Sequence, residues 1–193
     1  MSIKSEATRK SMFLSLVLRH RPEEIGIVLD ENGWTKVSEL ISGAAMTGRF
    51  YTVPELEQIV ATDEKLRYQL SDDNEYIRAV QGHSHESVMA MTFELLTPPA
   101  KLYHGTPAAN AESIEDKGIL RGKRLYVHLT EDVDTAWRAA VRRRSAGVVY
   151  QVDTAKMMRM GHVFYRAENG VWLTKRVPFS ATGLVDSHEE NGA

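Results

Sequence analysis

Three basic groups in this sequence could handle a phosphate: Arg19-His20, Arg67, and the run Arg142-Arg143-Arg144. A planar guanidinium presents paired N–H donors that match two phosphate oxygens, and an imidazole that titrates near neutrality can carry a proton. Each group also has a plain structural explanation. Arg19 and His20 end a helical run, where cations favour the helix dipole and the last carbonyls. Taken alone, those two residues fit that explanation better. Arg67 falls on the strand face opposite Leu66, Tyr68 and Leu70, where a solvated arginine is the usual case. The triple arginine reads equally well as the solvated basic end of a helix. None of the three is specific by itself.

His104-Gly105-Thr106 carries a different kind of chemistry. A histidine directly after apolar residues, then a glycine and a hydroxyl, suits a strand end where backbone approaches a ligand closely. Exposed N–H groups there can take a pyrophosphate or an amide oxygen. A structural histidine fits the same three residues about as well. Gly82-His83-Ser84-His85 sets two histidines two apart, which faces them together on a strand, but no carboxylate trio accompanies them, so no metal is expected. No Walker-type loop, dinucleotide fingerprint or His-Glu-x-x-His motif is present.

The elements that would position these residues fall into two groups. A helix is predicted over Glu6–His20, with Met12, Phe13, Leu16 and Val17 at helical spacing, ended by Pro22. Ile25–Leu29 is a short apolar run and Glu31-Asn32-Gly33 a turn. A second helix is predicted over Thr35–Ile41, and a third starts at Thr52-Val53-Pro54-Glu55, a capping-box pattern, and runs to Val60. Leu66–Leu70 and Tyr76–Val80 alternate around Ser71-Asp72-Asp73-Asn74, a β-hairpin. Three short helices and a hairpin suggest a winged-helix lobe.

Thr97-Pro98-Pro99 is the best boundary, and the chain then changes character. Leu102-Tyr103 leads into His104-Gly105-Thr106, with a helix through Ile114 that stops at Gly118. Leu125–Thr130 alternates, with Leu125, Val127 and Leu129 on one face and Tyr126, His128 and Thr130 on the other. A helix is predicted around Trp137–Val141, a strand over Val148–Val152, and a hairpin at Asn169-Gly170 between Val163-Phe164-Tyr165 and Val171–Thr174. Strands with interposed short helices imply an α+β lobe, and the tail after Val185 is polar.

Composition narrows the class. The chain of 193 residues is 42% hydrophobic and 26% charged, ordinary for a soluble globular protein, with no apolar run long enough for a membrane span. It contains no cysteine, which excludes disulfides and thiolate metal sites and fits the cytoplasm. Residues 1–95 hold 10 basic and 15 acidic side chains, a net −5, and residues 96–193 hold 14 and 11, a net +3. Neither half has the basic excess of a protein that clamps long nucleic acid, so any RNA is expected to be held through few phosphates.

Taken together, these stretches resemble the RNA 2′-phosphotransferases of the Tpt1/KptA type. The resemblance rests on Phe13-Leu14-Ser15-Leu16-Val17-Leu18-Arg19-His20-Arg21-Pro22, Lys65-Leu66-Arg67-Tyr68, Ile77-Arg78-Ala79-Val80-Gln81-Gly82-His83-Ser84, Leu102-Tyr103-His104-Gly105-Thr106, Val127-His128-Leu129-Thr130 and Glu168-Asn169-Gly170-Val171-Trp172-Leu173-Thr174. They follow in family order over nearly the whole chain. The resemblance implies an α+β protein with a winged-helix RNA-binding lobe (residues 1–96), an NAD-binding, ADP-ribosyltransferase-type lobe (residues 97–185) and a polar tail (residues 186–193). It implies a catalytic Arg-His-Arg-Arg set in which Arg19, His20 and Arg67 map directly. For the fourth member, counting forward from Leu129-Thr130 gives Arg142 and counting back from Val148-Val149 gives Arg143. Arg142 is preferred, because an extra residue fits a loop more easily than a packed helix. The loop Ser145-Ala146-Gly147 lacks the family's usual Gly and Pro.

His104, Gly105, Thr106, His128 and Thr130 are implied to hold NAD, and Val171 stands where other ADP-ribosyltransferases often carry a Glu. The implied reaction consumes NAD and needs no metal. An internal RNA 2′-phosphate attacks the nicotinamide-bearing ribose carbon and nicotinamide leaves. The neighbouring ribose hydroxyl then attacks the ADP-ribosylated phosphate, giving 2′-OH RNA and ADP-ribose 1″,2″-cyclic phosphate. The expected partners are RNA carrying a 2′-phosphate and NAD, with no membrane, and a monomer is expected. One alternative is an ADP-ribosyltransferase acting on protein or nucleic-acid phosphate ends that stops after the first step. Another is a winged-helix nucleic-acid binder with an inert second lobe, against which the negative first half argues.

Overall fold

The computed structural model describes residues 3–88, 93–141 and 146–185. The chain divides into two compact units, 1–92 and 93–193. In the first, α1 (Ile3–Val17) buries Phe13, Leu14 and Val17, with Leu18 just beyond it, and leaves Met12 at the surface. The apolar stripe is therefore rotated from the one the sequence suggested, onto positions three and four apart along one face. The helix also stops short of His20. The Leu16 carbonyl accepts from both His20 and Arg21 N–H, at 2.9 and 3.0 Å, and this closes a turn that carries Arg19 and His20 before Pro22 opens a short 3-10 helix, Pro22–Ile25.

Thr35–Lys36 is not helical as expected. It forms a short strand, β1, paired antiparallel with residues Tyr76 and Ile77. The helix, α2 (Val37–Met46), follows it and buries Val37, Leu40 and Ala44. The third helix, α3 (Val53–Ala61), begins with the predicted capping box: Thr52 N–H donates to Glu55 Oε2 at 2.9 Å and Glu55 N–H to Thr52 Oγ1 at 3.4 Å. The predicted hairpin is present as β2 (Tyr68–Leu70) and β3 (Tyr76–Ala79), giving a sheet of order β1-β3-β2. Leu66 lies outside it, exposed and at a φ of 44°, so the strand starts later than the alternation suggested.

The second unit opens with β4 (Glu94–Leu95) and β5 (Lys101–Pro107). Then come α4 (Ala111–Lys117), β6 (Ile119–Leu120), β7 (Val127–Leu129), α5 (Val133–Ala140) and β8 (Gly147–Asp153). The chain continues through α6 (Thr154–Arg159), β9 (Tyr165–Arg166), β10 (Trp172–Thr174), β11 (Arg176–Val177) and β12 (Thr182–Val185). One sheet runs β4-β9-β10-β7, a second β12-β8-β5, and β11 pairs with β6; all pairings are antiparallel. The predicted hairpin at Asn169-Gly170 is β9–β10, and β4 pairs with β9 although it precedes Thr97-Pro98-Pro99.

Alternation decides which strand faces make the core. Val127 and Leu129 of β7, Val152 and Tyr150 of β8, and Leu102 of β5 bury into one cluster with Trp172 and Phe164. On the opposite face of β5 and β8, Val149 packs with Ala136 and Ala140 of α5, joined by Tyr103. Helices set against antiparallel sheets make this a mixed α/β fold. Among the described residues no helix is long and apolar enough to cross a membrane. The polar tail at residues 186–193 lies outside the described residues.

Candidate active site

Within the first unit, one segment ties together the three predicted residues that belong to it. Val80 N–H donates to the carbonyl of Arg67 at 2.9 Å. Two residues later Gly82, at a φ of 91°, lies against the Arg19 guanidinium, three atoms of which would stand 3.5 Å from a Cβ at that position. Ser84 N–H then donates to the Arg19 carbonyl at 2.9 Å, and the Ser84 hydroxyl shares a 2.8 Å hydrogen bond with His20 Nδ1. Arg19 itself is buried.

Arg67 is not the solvated strand arginine of the structural explanation. Its guanidinium pairs with Asp63, whose side chain is only 6% exposed, and its N–H donates to Asp63 Oδ2 at 2.5 Å. Asp63 therefore holds the base of the Arg67 side chain while pairing its head. The trace of this pairing in the sequence is the four-residue spacing of Asp63 and Arg67. His83, between Gly82 and Ser84, is 2% exposed. Burial first, then the charges of Arg19, His20 and Arg78, push its imidazole down to about 3, so it is neutral. Arg78 donates from Nε to Gln69 Oε1 at 2.7 Å and lies 4.6 Å from the Trp34 ring centroid.

The second unit gathers the other predicted residues around a single strand crossing. Tyr103 and Thr130 exchange both backbone hydrogen bonds, Tyr103 N–H to Thr130 O at 2.8 Å and Thr130 N–H to Tyr103 O at 3.0 Å, which joins β5 to the end of β7. His104 Nδ1 lies 3.0 Å from the His128 carbonyl. A carbonyl only accepts, so Nδ1 carries the proton and Nε2 is the acceptor nitrogen. Burial lowers the His104 pKa, outweighing the opposing effect of that hydrogen bond, with the Arg124 charge adding to the lowering. His128 is fixed in the other tautomer. Arg124 Nη1 sits 2.8 Å from its Nδ1, and a guanidinium only donates. Arg124 was not anticipated, although it stands four residues before His128.

Gly105 has a structural reason of its own. A Cβ there would meet the Ala136 carbonyl oxygen at 1.7 Å and Ala140 N at 3.1 Å, so the residue is glycine because α5 packs directly on β5. The expected close approach is thus to a helix on that face. The strand's hydrogen-bonding edge is another matter. Tyr103 turns its N–H and C=O towards Thr130, and the two-residue repeat of a strand turns those of Gly105 to the same edge. A paired donor and acceptor on a strand edge is what a primary amide needs. On the face away from α5, Thr106 is buried and its hydroxyl accepts from Asn110 Nδ2 at 2.8 Å. Arg142 and Arg143 lie outside the described residues. Among the described residues no group of three His, Asp or Glu side chains could hold a metal ion. A cavity of about 340 Å³ in the first unit, lined by Arg9, Lys10, Phe13, Arg49 and Tyr51 among others, contains none of the predicted site residues.

Comparison with known proteins accords with the motifs. The profile of the RNA 2′-phosphotransferase, Tpt1/KptA family, matches residues 5–176. A protein of Pseudomonas fluorescens named as a probable RNA 2′-phosphotransferase is 47% identical over 168 residues, covering 87% of this chain and 91% of its own. Proteins given the same name in Burkholderia lata and Escherichia coli are 46% and 45% identical, over 90% and 89% of this chain and 88% and 92% of theirs. The match begins within α1 and ends within β11, so it spans both units, and the chain belongs to the Tpt1/KptA family of RNA 2′-phosphotransferases, which are transferases.

Proposed function

We propose that this chain removes an internal 2′-phosphate from RNA at the expense of NAD, through an ADP-ribosylated RNA 2′-phosphate. The observation that carries the reading is the attachment of Arg19, His20 and Arg67 to the single segment Val80–Ser84, in a chain of this family. A phosphomonoester is near-dianionic at neutral pH, and guanidiniums bind it bidentately. Arg19 and Arg67 hold and align the phosphate, which is already a competent nucleophile, so their first contribution is proximity. In the second step they stabilise charge building on the phosphorus oxygens, and His20 moves the proton of the attacking ribose hydroxyl. Arg142, or Arg143 in the other register, supplies the remaining guanidinium.

The second unit is assigned the NAD. Its residues fit the group: the Gly105 N–H and C=O suit the carboxamide and His104 Nε2 is an acceptor nitrogen, and Thr106, His128 and Thr130 are assigned to the same site. NAD supplies the ADP-ribosyl group that the phosphate takes up. The lobe assignments follow from the same reading. Residues 1–96, whose described part includes α1, α2, α3 and the β1-β3-β2 sheet, act as a winged-helix lobe for RNA, and residues 97–185 as an ADP-ribosyltransferase-type lobe. The protein is expected to work as a cytoplasmic monomer.

The test is incubation with NAD and an oligonucleotide bearing one internal 2′-phosphate, with products identified by mass. The reading requires nicotinamide, 2′-OH RNA and ADP-ribose 1″,2″-cyclic phosphate in equal amounts. A stable ADP-ribosylated end or protein, with no dephosphorylated RNA, would instead point to a transferase that stops after one step.

A further inference from the structure

The segment Gly82-His83-Ser84 lies in a stretch that carries the family resemblance, and the chemistry assigned to Arg19, His20 and Arg67 leaves Ser84 without a role. Its geometry supplies one. Ser84 is bonded twice to the turn after α1, through its N–H to the Arg19 carbonyl at 2.9 Å and through its hydroxyl to His20 Nδ1 at 2.8 Å. We propose that Ser84 is a positioning residue for His20: its hydroxyl fixes the rotation of the imidazole and accepts from Nδ1–H, leaving Nε2 as the nitrogen that moves the proton. The proposal rests on the reading of His20 as the proton carrier.

Two features make serine suited to this. The torsion of a histidine ring is broad, so a partner on one nitrogen is what selects an orientation. Which nitrogen carries the proton is set by the hydrogen bond the other makes. In the neutral ring with its proton on Nδ1, and in the imidazolium that forms when Nε2 takes a second proton, Nδ1 is a donor both times. A neutral hydroxyl accepts in both states without the charge that would hold the proton on the ring, as a carboxylate does. The backbone bond to Arg19 keeps residue 84 in place when the side chain is changed. Replacing the hydroxyl therefore isolates its effect on His20.

The experiment compares the full-length chain with Ser84→Ala, Ser84→Thr, His20→Ala and the double variant Ser84→Ala/His20→Ala, under NAD and a 2′-phosphorylated oligonucleotide. Imidazole ¹⁵N spectra read the His20 tautomer independently of turnover. Ser84→Ala should lower kcat about 10–100-fold, the range for losing a partner that orients a functional histidine, with KM changed less than about twofold. Ser84→Thr should restore most of kcat. Ser84→Ala should have no further effect when His20 is already alanine, since the two act as one unit. The ¹⁵N signals should shift from the Nδ1–H form to a mixture. An equal loss from Ser84→Ala in both backgrounds, or unchanged ¹⁵N signals, overturns the proposal. Full activity in His20→Ala overturns the underlying reading of His20 instead, a different outcome that the tautomer spectra distinguish from the first.

Discussion

Lowering the pH should destabilise the first unit through His83. This imidazole is 2% exposed, and burial together with the Arg19, His20 and Arg78 charges pushes it from 6.5 down to about 3. Unfolded, it takes up a proton as the pH falls through 6.5; folded, it refuses one until about 3. The unfolded state thus binds more protons across that window, and stability is lost as pH falls through it. Linkage gives a loss of roughly 2 kcal/mol at pH 5, and ~5 kcal/mol once the pH is below 3. His104 is also lowered and acts in the same direction, but it stays in place when His83 is replaced. The assay is urea unfolding at pH 7.5, 6 and 5 of the parent chain, His83→Gln and His83→Phe. The parent should lose about 2 kcal/mol more than either variant between pH 7.5 and 5. Parallel pH curves in all three proteins would refute the reasoning.

Gly105→Ala places a methyl group 1.7 Å from the Ala136 carbonyl oxygen. Helix backbone cannot give way as a side chain tip can, so a cost of about 3 kcal/mol or more is expected, read as a Tm lowered by ~6 °C or more; a Tm within 2 °C of the parent's, at about that precision, would show that β5 and α5 separate freely. Asp63→Asn should lower kcat/KM for 2′-phosphorylated RNA about tenfold by releasing Arg67 while leaving KM for NAD unchanged; tighter RNA binding would mean that Asp63 competes with the phosphate instead of orienting its partner. Arg142→Ala should cost more activity than Arg143→Ala, and the reverse order would favour the register counted back from Val148-Val149.

The sequence made the regular elements legible where a local rule has one outcome. The Thr52 capping box, the β2–β3 hairpin and the β9–β10 hairpin are read from a few adjacent residues and all three are present, with β2 and β9 each starting two residues later than the alternation suggested. What was not legible depends on tertiary contact. Thr35–Lys36 looks helical until Tyr76 and Ile77 supply a strand for it to pair with. The short strands β4, β6, β11 and β12 are similarly defined by their partners. Met12 reads as part of an apolar stripe and is exposed, because Leu14 and Leu18 complete the buried face instead.

The candidate residues were found as types, but their partners were not. Nothing near Arg19 in sequence shows that Ser84 and Gly82 lie against it, and the explanation of Gly105 as a ligand contact missed the helix that occupies its open face. Arg124 and Asp63 each stand four residues from a singled-out residue, a spacing that could have been noticed.

The most direct test of the account is a single-turnover time course with end-labelled RNA carrying one 2′-phosphate, run with NAD on the parent chain, His20→Ala and Arg67→Ala. The second step needs proton transfer, which contributes roughly 10²–10⁴-fold, and preorganised donors on the phosphorus oxygens at ~10²–10³-fold each. The first needs mainly alignment. The parent should convert substrate to 2′-OH RNA with only a transient ADP-ribosylated 2′-phosphate, and both variants should accumulate that intermediate because their second step slows more than their first. Dephosphorylation that proceeds without NAD, or variants that lose substrate consumption and product formation in equal proportion with no intermediate at any time, would contradict it.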